Sequence, residues 1–298
     1  MDQRRNRVDL HIHSTASDGA LTPSEVVRLA QGHDLSVIAL TDHDTLGGVA
    51  EAQQAAMHTG LEIVAGLEIN SEGEWGDLHF LGYYVDPENE SLREKLQAIR
   101  DTRVNRARAM LDRLATMGMP LKWEEVRASA AGDSIGRPHV AQALLKQGYV
   151  ETLPEAFVRF IGNDGPAYVP RLRLTPPEVI QAIRQAGGVP VIAHPGLTGP
   201  EAVDRIPEFV AYGLGGVEVY YPQHPPETVN RLLALCREHK LLATGGSDFH
   251  GLDVAGGTQL GSVHVPFECT ERLRRAADAQ RRMLEVSDAC PRTKYNFS

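Results

Sequence analysis

The segment Val8–His13, VDLHIH, alternates aliphatic and polar side chains along its whole length. A period of two is the pattern of a β-strand, so the three aliphatic residues face one side and both histidines face the other. Two imidazoles spaced in this way, His11 and His13, lie about 6–7 Å apart, close enough to bind one metal ion. Alone this motif is a weak signal, and the rest of the chain has to support it.

Further short apolar runs follow this segment, and each is bounded by turn residues or by a helical pattern. We predict strands over residues 37–41, 61–69, 78–85, 188–193, 217–220 and 241–245. Helices separate most of them, and capping boxes that begin at Thr22 and Thr175 mark two helix starts. Such alternation indicates parallel βαβ units. Since polar residues lie near the end of nearly every strand, an incomplete (β/α) barrel fits better than a doubly wound sheet.

Potential metal ligands lie at or near these strand ends. They are His11, His13, Asp18, His43, Glu68, His79, His194, Asp248 and His250. Such a number of nitrogen and oxygen donors suits three divalent ions that also bind water or substrate. The set contains no cysteine, which favours zinc, manganese or iron, and hydrolysis over a structural role. Alternatives stay open for His79, as a buried core residue, and for Asp18, as a turn residue.

Residues 91–172 interrupt the strand order with helical patterns at 92–117, 123–131, 138–146 and 154–161. We interpret them as a helical insertion domain over the mouth of a barrel formed by residues 1–90 and 173–285, with a tail at 286–298. The helix at 92–117 is rich in arginine and could follow an RNA backbone. A solvated helix face is the simpler interpretation.

Bulk properties narrow the function classes. A net charge of −9 argues against a wholly basic nucleic-acid-binding surface. The three cysteines are far apart and form no CxxC motif, which fits a reducing compartment. We find no apolar leader and no apolar run long enough for a membrane span, so we expect a cytoplasmic protein without membrane contact. No obligate protein partner is indicated.

Five short motifs occur in a characteristic order: HIH at 11–13, TDHD at 41–44, GLE at 66–68, AHP at 193–195 and GSDFH at 246–250. This series resembles the PHP (polymerase and histidinol phosphatase) family over residues 8 to about 265. The resemblance implies a distorted (β/α)7 barrel with a trinuclear metal site and divalent ions, manganese first and zinc or iron as alternatives. The implied ligand sets are His11, His13, Glu68 and Asp248; then Glu68, His79 and His194; then Asp18, His43 and His250.

Three further features resemble one branch of that family, the 3′,5′-nucleoside bisphosphate phosphatases and 5′–3′ exoribonucleases. They are STASDG at 14–19, GRPH at 136–139 and GPAYV at 165–169. The resemblance implies removal of the 3′-phosphate from a substrate such as adenosine 3′,5′-bisphosphate, stepwise 5′–3′ trimming of short 5′-phosphorylated oligonucleotides, or both. Other phosphatases of the family, such as histidinol-phosphate phosphatase, amidohydrolase-type hydrolysis and a non-catalytic module are the alternatives.

Four residues are expected to bind substrate or to take part in catalysis. We expect Arg137, at a helix start, and His139 to bind a substrate phosphate. Asp18, His43 and His139 are the expected catalytic residues, His139 as a proton donor. A surface salt bridge for Arg137 and a hydrogen-bonded helix residue for His139 remain alternatives.

The remaining acidic residues near the strand ends are assigned supporting roles. Asp9, Asp42 and Asp44 are expected to orient imidazoles rather than to bind metal. Glu218 either does the same or satisfies a hydrogen bond in the core.

Overall fold

The computed structural model describes residues 6–73, 76–129, 135–170, 174–251 and 258–289. Within them one sheet contains seven strands in the order of the chain. They are β1 (Arg7–Ile12), β2 (Leu35–Leu40), β3 (Glu62–Gly73), β4 (Gly76–Tyr83), β5 (Val189–Ile192), β6 (Gly216–Tyr220) and β7 (Leu242–Gly245). The predicted strands are therefore confirmed, as is the α/β class.

The helices lie mostly between the strands. They are α1 (Pro23–Gly32), α2 (Val49–Ala56), α3 (Glu90–Thr116), α4 (Trp123–Ala128), α5 (Arg137–Lys146), α6 (Leu153–Ala156), α7 (Pro176–Gln185), α8 (Pro195–Thr198), α9 (Pro200–Asp204), α10 (Ile206–Ala211), α11 (Pro226–His239) and α12 (Glu268–Ala289). The predicted helix at 154–161 is divided between α6 and a π-helical turn, Phe157–Ile161. The sequence patterns did not predict α8, α9, α10 or α12, and α12 continues past residue 286, where we expected a tail.

Strand β4 departs from the predicted parallel arrangement. It is antiparallel to both β3 and β5, whereas the other neighbouring strands are parallel. The reason is the short connection, because Gly73 pairs with Gly76 across a hairpin and a parallel crossover needs a dozen or more residues. In this register Asn70 lies opposite His79, which places His79 beside the strand that carries Glu68.

The first and last strands approach each other at the end of the sheet that carries the histidines. Ile12 forms an isolated parallel bridge with Phe249, just beyond β7. The carboxylate of Asp9 accepts hydrogen bonds from the backbone N–H groups of Ser247 at 2.9 Å and Gly261 at 2.8 Å. These contacts bring the segments after β1 and β7 together.

Residues 104–167 contain a hydrophobic cluster of their own. Helix α3 belongs to two cores, since Leu92 and Leu96 pack with the central sheet and Leu111 and Leu114 pack in the separate cluster. A separate core is expected of a segment that folds as a unit. The domain boundaries at 91 and 172 stay a prediction.

Among the helices of the described ranges, none is both long and apolar enough to cross a bilayer. The cytoplasmic location stays a prediction.

Candidate metal centre

The predicted ligands, which are scattered over most of the sequence, come together in the structure. β1 and the residue after it supply His11 and His13, and the loop that follows supplies Asp18. His43 follows β2, Glu68 lies in β3 and His79 lies in β4. The remaining three follow β5 and β7: His194, Asp248 and His250. They meet at the edge where parallel strands have their carboxyl ends, the usual place of barrel active sites.

Local hydrogen bonds explain how the loop after β1 returns Asp18 to the histidines. The carboxylate of Asp42 accepts from the Ser14 N–H, the Ser14 hydroxyl and the Ser17 hydroxyl, each at 2.7 Å. At Gly19 a Cβ would lie 2.6 Å from the carbonyl carbon of His13, so only glycine permits this close turn. The loop is therefore fixed both by Asp42 and by the lack of a side chain at Gly19.

Glu68 is at the centre of the cluster and is 1% exposed. Its two oxygens face different imidazoles. Oε2 lies 3.4 Å from His11 Nε2, 3.3 Å from His13 Nε2 and 3.1 Å from His43 Nδ1, whereas Oε1 lies 2.8 Å from His79 Nδ1 and 3.2 Å from His194 Nε2. A carboxylate with this arrangement could bridge two ions.

Two aspartates complete the cluster on either side of His13. Asp248 Oδ1 lies 3.3 Å from His11 Nε2 and 3.2 Å from His13 Nε2. Asp18 lies 3.6 Å from His13 Nδ1, 3.7 Å from His43 Nε2 and 3.6 Å from His250 Nε2. Three groups of side chains could each hold an ion, because the donor atoms within each group all lie within 4.8 Å of one another. They are His11, His13 and Asp248; Glu68, His79 and His194; and His13, Asp18, His43 and His250.

The donor geometry fits divalent metal ions. Several buried ring nitrogens have no hydrogen-bond partner among the described residues: His11 Nε2, His13 Nδ1 and Nε2, His43 Nδ1 and His194 Nδ1. Buried polar atoms are almost always satisfied, so such a concentration needs an explanation. The separations of 3.1–3.4 Å between these nitrogens and the Glu68 Oε2 or Asp248 Oδ1 oxygens match two ligands of one ion at about 2.1 Å.

The electrostatic environment keeps the carboxylates ionised and His43 neutral, whereas neighbouring carboxylates raise the pKa values of His11, His13 and His194 against the effect of burial. Burial would raise the pKa of Glu68, but the imidazoles, His43 first, lower it well below its ordinary value. Burial would likewise raise the pKa of Asp248, and His11 and His13 lower it instead. Burial lowers the pKa of His43 to about 4, so this imidazole stays neutral at neutral pH. Ionised carboxylates and neutral imidazoles are the forms that bind metal.

Glu218, for which we left open an orienting role or a core hydrogen bond, contacts the imidazole of His11 directly. Its Oε1 lies 2.9 Å from His11 Nδ1, and its Oε2 accepts the backbone N–H of His194 at 2.8 Å. The three aspartates that we expected to orient imidazoles make different contacts: Asp9 and Asp42 accept from the backbone and serine groups described above, and Asp44 forms an ion pair with Arg103. They fix the loops that carry the ligands, because main-chain position decides where an imidazole can point.

Two candidate ligands have strained backbones. The φ angle is 26° at His194 and 54° at Asp248. Non-glycine residues in this region cost about 1–3 kcal/mol each, and they concentrate at functional sites. No sequence pattern in the chain indicated this strain.

A cavity of about 390 Å³ opens beside the candidate metal ligands. Asp18, His43 and His250 lie on one wall, which we call the metal wall. Another part of the lining, which we call the arginine wall, carries Arg103 and Arg106 from α3 and Arg137 and His139 from α5. Arg137 Nη1 donates to Asn163 Oδ1 at 2.8 Å, and Arg106 Nε donates to the Val169 carbonyl at 2.6 Å.

The structure corrects the solvated interpretation of α3 at two positions. Arg103 is 12% exposed and, like Arg106, lines the cavity. Both were within the arginine-rich pattern, but the pattern alone could not tell which face of the helix meets the site. The signal that could have found them is their spacing of three residues, which places both on one helix face.

The ring of His139 has a defined hydrogen-bonding role. Its Nδ1 accepts the backbone N–H of Gly136 at 3.0 Å, so the neutral ring carries its proton on Nε2. Burial lowers the pKa of His139. Both features disfavour the imidazolium form. The His139 ring is therefore better suited to donate a hydrogen bond to a phosphate oxygen than to act as a general acid.

From the sequence alone His224 is expected at the surface, because no motif includes it, and Tyr221 belongs to no motif either. Both are buried, His224 at 8% exposure and Tyr221 at 7%. The Tyr221 hydroxyl donates to Asp248 Oδ2 at 2.9 Å. Trp75, an aromatic residue of a kind that can stack on a base, lies outside the described residues.

Buried imidazoles and carboxylates next to a cavity with arginines are typical of the class of metal-dependent hydrolases that act on anionic substrates. A profile of the PHP domain matches residues 9–153. Together with the relatives described next, this match shows that the chain belongs to the PHP domain family.

Two relatives align over most of their length. A 5′–3′ exoribonuclease of Haemophilus influenzae is 35% identical over 82% of this chain and 90% of its own length. A 3′,5′-nucleoside bisphosphate phosphatase of Chromobacterium violaceum is 34% identical over 91% of this chain and 99% of its own length. Both names belong to the branch that the sequence motifs resembled.

A solved structure agrees with the fold. The crystal structure of a protein from Bifidobacterium adolescentis, described as a metal-dependent phosphoesterase, superposes with a TM-score of 0.79 at 34% identity. The match covers 90% of this chain and 96% of that chain. The resemblance seen in short motifs therefore extends over nearly the whole fold.

Proposed function

We propose that this protein removes the 3′-phosphate from nucleoside 3′,5′-bisphosphates and trims short 5′-phosphorylated oligonucleotides from the 5′ end. The observation that carries the proposal is the cavity with two different walls. One wall has metal-binding carboxylates and imidazoles, and the other has three arginines. A substrate with two phosphates on one ribose suits this arrangement, because one phosphate can meet each wall.

The metal wall would carry the reaction. We propose three ions, held by the three ligand sets that the family resemblance implies, with Glu68 shared between two of them. Manganese is the first candidate, since nitrogen and oxygen donors without sulfur suit it. Such ions supply Lewis acidity toward a phosphoryl oxygen. Asp18 and His43, which lie on the cavity side, would be the ligands nearest the scissile phosphate.

The arginine wall would anchor the 5′-phosphate. Arg137 begins α5, so its guanidinium adds to the positive end of a ten-residue helix. Arg103 and Arg106 extend this positive surface along α3. The Nε2–H of His139 would donate a hydrogen bond to a phosphate oxygen, since Nδ1 is already occupied by Gly136.

The same arrangement accounts for both activities. Each reaction breaks a phosphoester at a 3′ oxygen beside an anchored 5′-phosphate. The names of the two relatives support this interpretation, because one is a bisphosphate phosphatase and the other an exoribonuclease.

We further propose that the sheet is a distorted (β/α)7 barrel and that α3 to α6 form an inserted domain. The approach of the segments after β1 and β7 supports the barrel. The separate hydrophobic cluster within residues 104–167 supports the insertion. In this arrangement the inserted helices supply the arginine wall and the barrel supplies the metal wall.

The test is phosphate release from adenosine 3′,5′-bisphosphate by manganese-loaded protein, with His11→Ala as the control. We expect AMP and phosphate from the wild type and neither from the variant. Histidinol phosphate serves as the comparison substrate. Release from histidinol phosphate alone, or no release from protein shown to hold its metal, contradicts the proposal.

The oligonucleotide activity has its own test. Short RNA with a 5′-phosphate should lose 5′-mononucleotides stepwise, whereas the same RNA with a 5′-hydroxyl should be a poor substrate. Equal rates on both would remove the 5′-phosphate anchor from the proposal.

A further inference from the structure

The segment Tyr221–His224, directly after β6, lies between two segments that carry candidate ligands. In the sheet, β6 is between β5 and β7. His194 follows β5 and Asp248 follows β7. The segment after β6 is therefore placed to contact both, although it supplies none of the predicted ligands.

Tyr221 divides the two oxygens of Asp248 between different partners. Its hydroxyl donates to Oδ2 at 2.9 Å. The other oxygen, Oδ1, faces His11 Nε2 at 3.3 Å and His13 Nε2 at 3.2 Å. Only Oδ1 is thus directed at the imidazoles with which it would share an ion.

His224 packs against the Tyr221 ring and supports its position. Its ring centroid lies 5.2 Å from that of Tyr221, and the Tyr221 ring lies 5.3 Å from that of His194. His224 Nδ1 lies 3.0 Å from the Val219 carbonyl, to which it donates, and Nε2 accepts the Gly196 N–H at 3.2 Å. A Cβ at Gly196 would lie 2.7 Å from the His224 ring, so glycine is needed for this contact.

We propose that Tyr221 is a positioning residue that restricts Asp248 to a single metal-binding oxygen. The proposal rests on the proposed function in one respect, because it takes Asp248 as a metal ligand. A carboxylate that binds through both oxygens takes two coordination positions, whereas one oxygen leaves the second position to water or substrate. Without the hydroxyl, Oδ2 would lose its donor in a largely buried place and would turn toward the ion.

The test compares Tyr221→Phe, which removes only the hydroxyl, with Tyr84→Phe. Tyr84 is the matched control because its hydroxyl also donates to a carboxylate, Glu62 at 3.2 Å, outside the metal centre. Each protein is loaded with cobalt and with manganese. The readouts are metal content, the visible absorption of bound cobalt, which reports coordination number, and kcat and KM on adenosine 3′,5′-bisphosphate.

We expect Tyr221→Phe to keep its metal, to change the cobalt absorption and to lose about 10-fold or more in kcat, the usual effect of removing such a hydrogen bond. KM should change little, because the arginine wall is intact. Tyr84→Phe should match the wild type in every readout. A Tyr221→Phe protein with wild-type absorption and kcat overturns the proposal, as does an equal change in Tyr84→Phe.

Failure of the proposed function gives a different result. If wild-type protein holds cobalt but releases no phosphate, the substrate assignment is wrong, and the cobalt absorption of Tyr221→Phe still decides the role of Tyr221. If Tyr221→Phe does not fold, 4-fluorophenylalanine at position 221 fills the place of the hydroxyl without donating a hydrogen bond. An unchanged cobalt absorption in that protein also overturns the proposal.

Discussion

The two walls of the cavity are built in different ways. The candidate metal ligands come from segments that span residues 11–250, and the most central, His11, His13 and Glu68, are at most 1% exposed. The arginine wall comes mainly from α3 and α5 and is partly open to solvent, with Arg103 at 12% exposure and Arg137 also partly exposed. We infer that cleavage of the phosphoester depends on residues from the whole sheet, whereas substrate selection depends on a few residues of α3 and α5.

Asp44 connects the segment after β2 with α3. Asp44, next to His43, pairs with Arg103, and its carbonyl accepts from Arg100 at 2.8 Å. A change on one wall could therefore reach the other through α3. The following predictions separate the contributions of the two walls, from the largest expected effect to the smallest.

Removing the central carboxylate should give the largest effect. For Glu68→Gln we expect kcat to fall by at least about 1,000-fold, because metal ions contribute several kcal/mol to phosphoryl charge stabilisation. Metal content, measured by elemental analysis, should fall as well. Glu62→Gln is the control on the same strand, since Glu62 pairs with Arg274 away from the site. Full metal content and activity in Glu68→Gln would contradict the central role of this residue.

Removing an arginine should act on binding instead. For Arg137→Ala we expect KM for adenosine 3′,5′-bisphosphate to rise about 10- to 100-fold, the value of a charge-assisted hydrogen bond to phosphate. The change in kcat should be small. On adenosine 3′-monophosphate, which has no 5′-phosphate, the variant and the wild type should be alike. Arg159→Ala, which loses the ion pair with Glu155 and a contact with the Phe160 ring, is the control. Unchanged kinetics on the bisphosphate would exclude the anchoring role.

Acidification should weaken metal binding and leave the charge of the arginine wall unchanged. Burial alone would lower the pKa of His13, but Asp248 and Glu68 raise it to about 10. A proton on this imidazole competes with a metal ion, so metal affinity should fall as pH falls, about tenfold per unit for each proton displaced. Guanidinium groups keep their charge over the same range. Metal titrations between pH 6 and 8 provide the measurement, and an affinity independent of pH would contradict the prediction.

Removing Asn163, the hydrogen-bond partner of Arg137, should give the smallest change in KM. For Asn163→Ala we expect KM to rise about 3-fold, as for loss of one ordinary hydrogen bond. In the Arg137→Ala background the same change should have no further effect, because the two residues then no longer interact. A full additional loss in the double variant would show that Asn163 acts independently of Arg137.

Much of the metal centre could be predicted because its residues follow local patterns. His11 and His13 share a face through the two-residue period of a strand, and His43, His194 and Asp248 come just after apolar runs. Parallel strands place such ends at one edge, so convergence follows from topology. The antiparallel β4 could not be predicted in the same way, since the apolar run that carries His79 does not encode its direction.

The supporting residues were harder to predict because their partners are remote in sequence. Glu218 and His11 are 207 residues apart and Tyr221 and Asp248 are 27 apart, and no periodic pattern links either pair. No sequence pattern around His224 indicated burial, so a surface position was expected. The carboxylates of Asp9, Asp42 and Asp44 likewise bind groups that are remote in sequence, namely a backbone N–H of Ser247, the Ser17 hydroxyl and Arg103.

The sequence by itself determined the strand order, the set of candidate ligands and the family, because these depend on periodicity and on short motifs of fixed spacing. Only the tertiary structure decided which oxygen of each carboxylate faces which imidazole, which arginines of α3 meet the site and where the backbone is strained. These properties depend on distances between segments that are far apart in the chain, and such distances are set by packing rather than by local pattern.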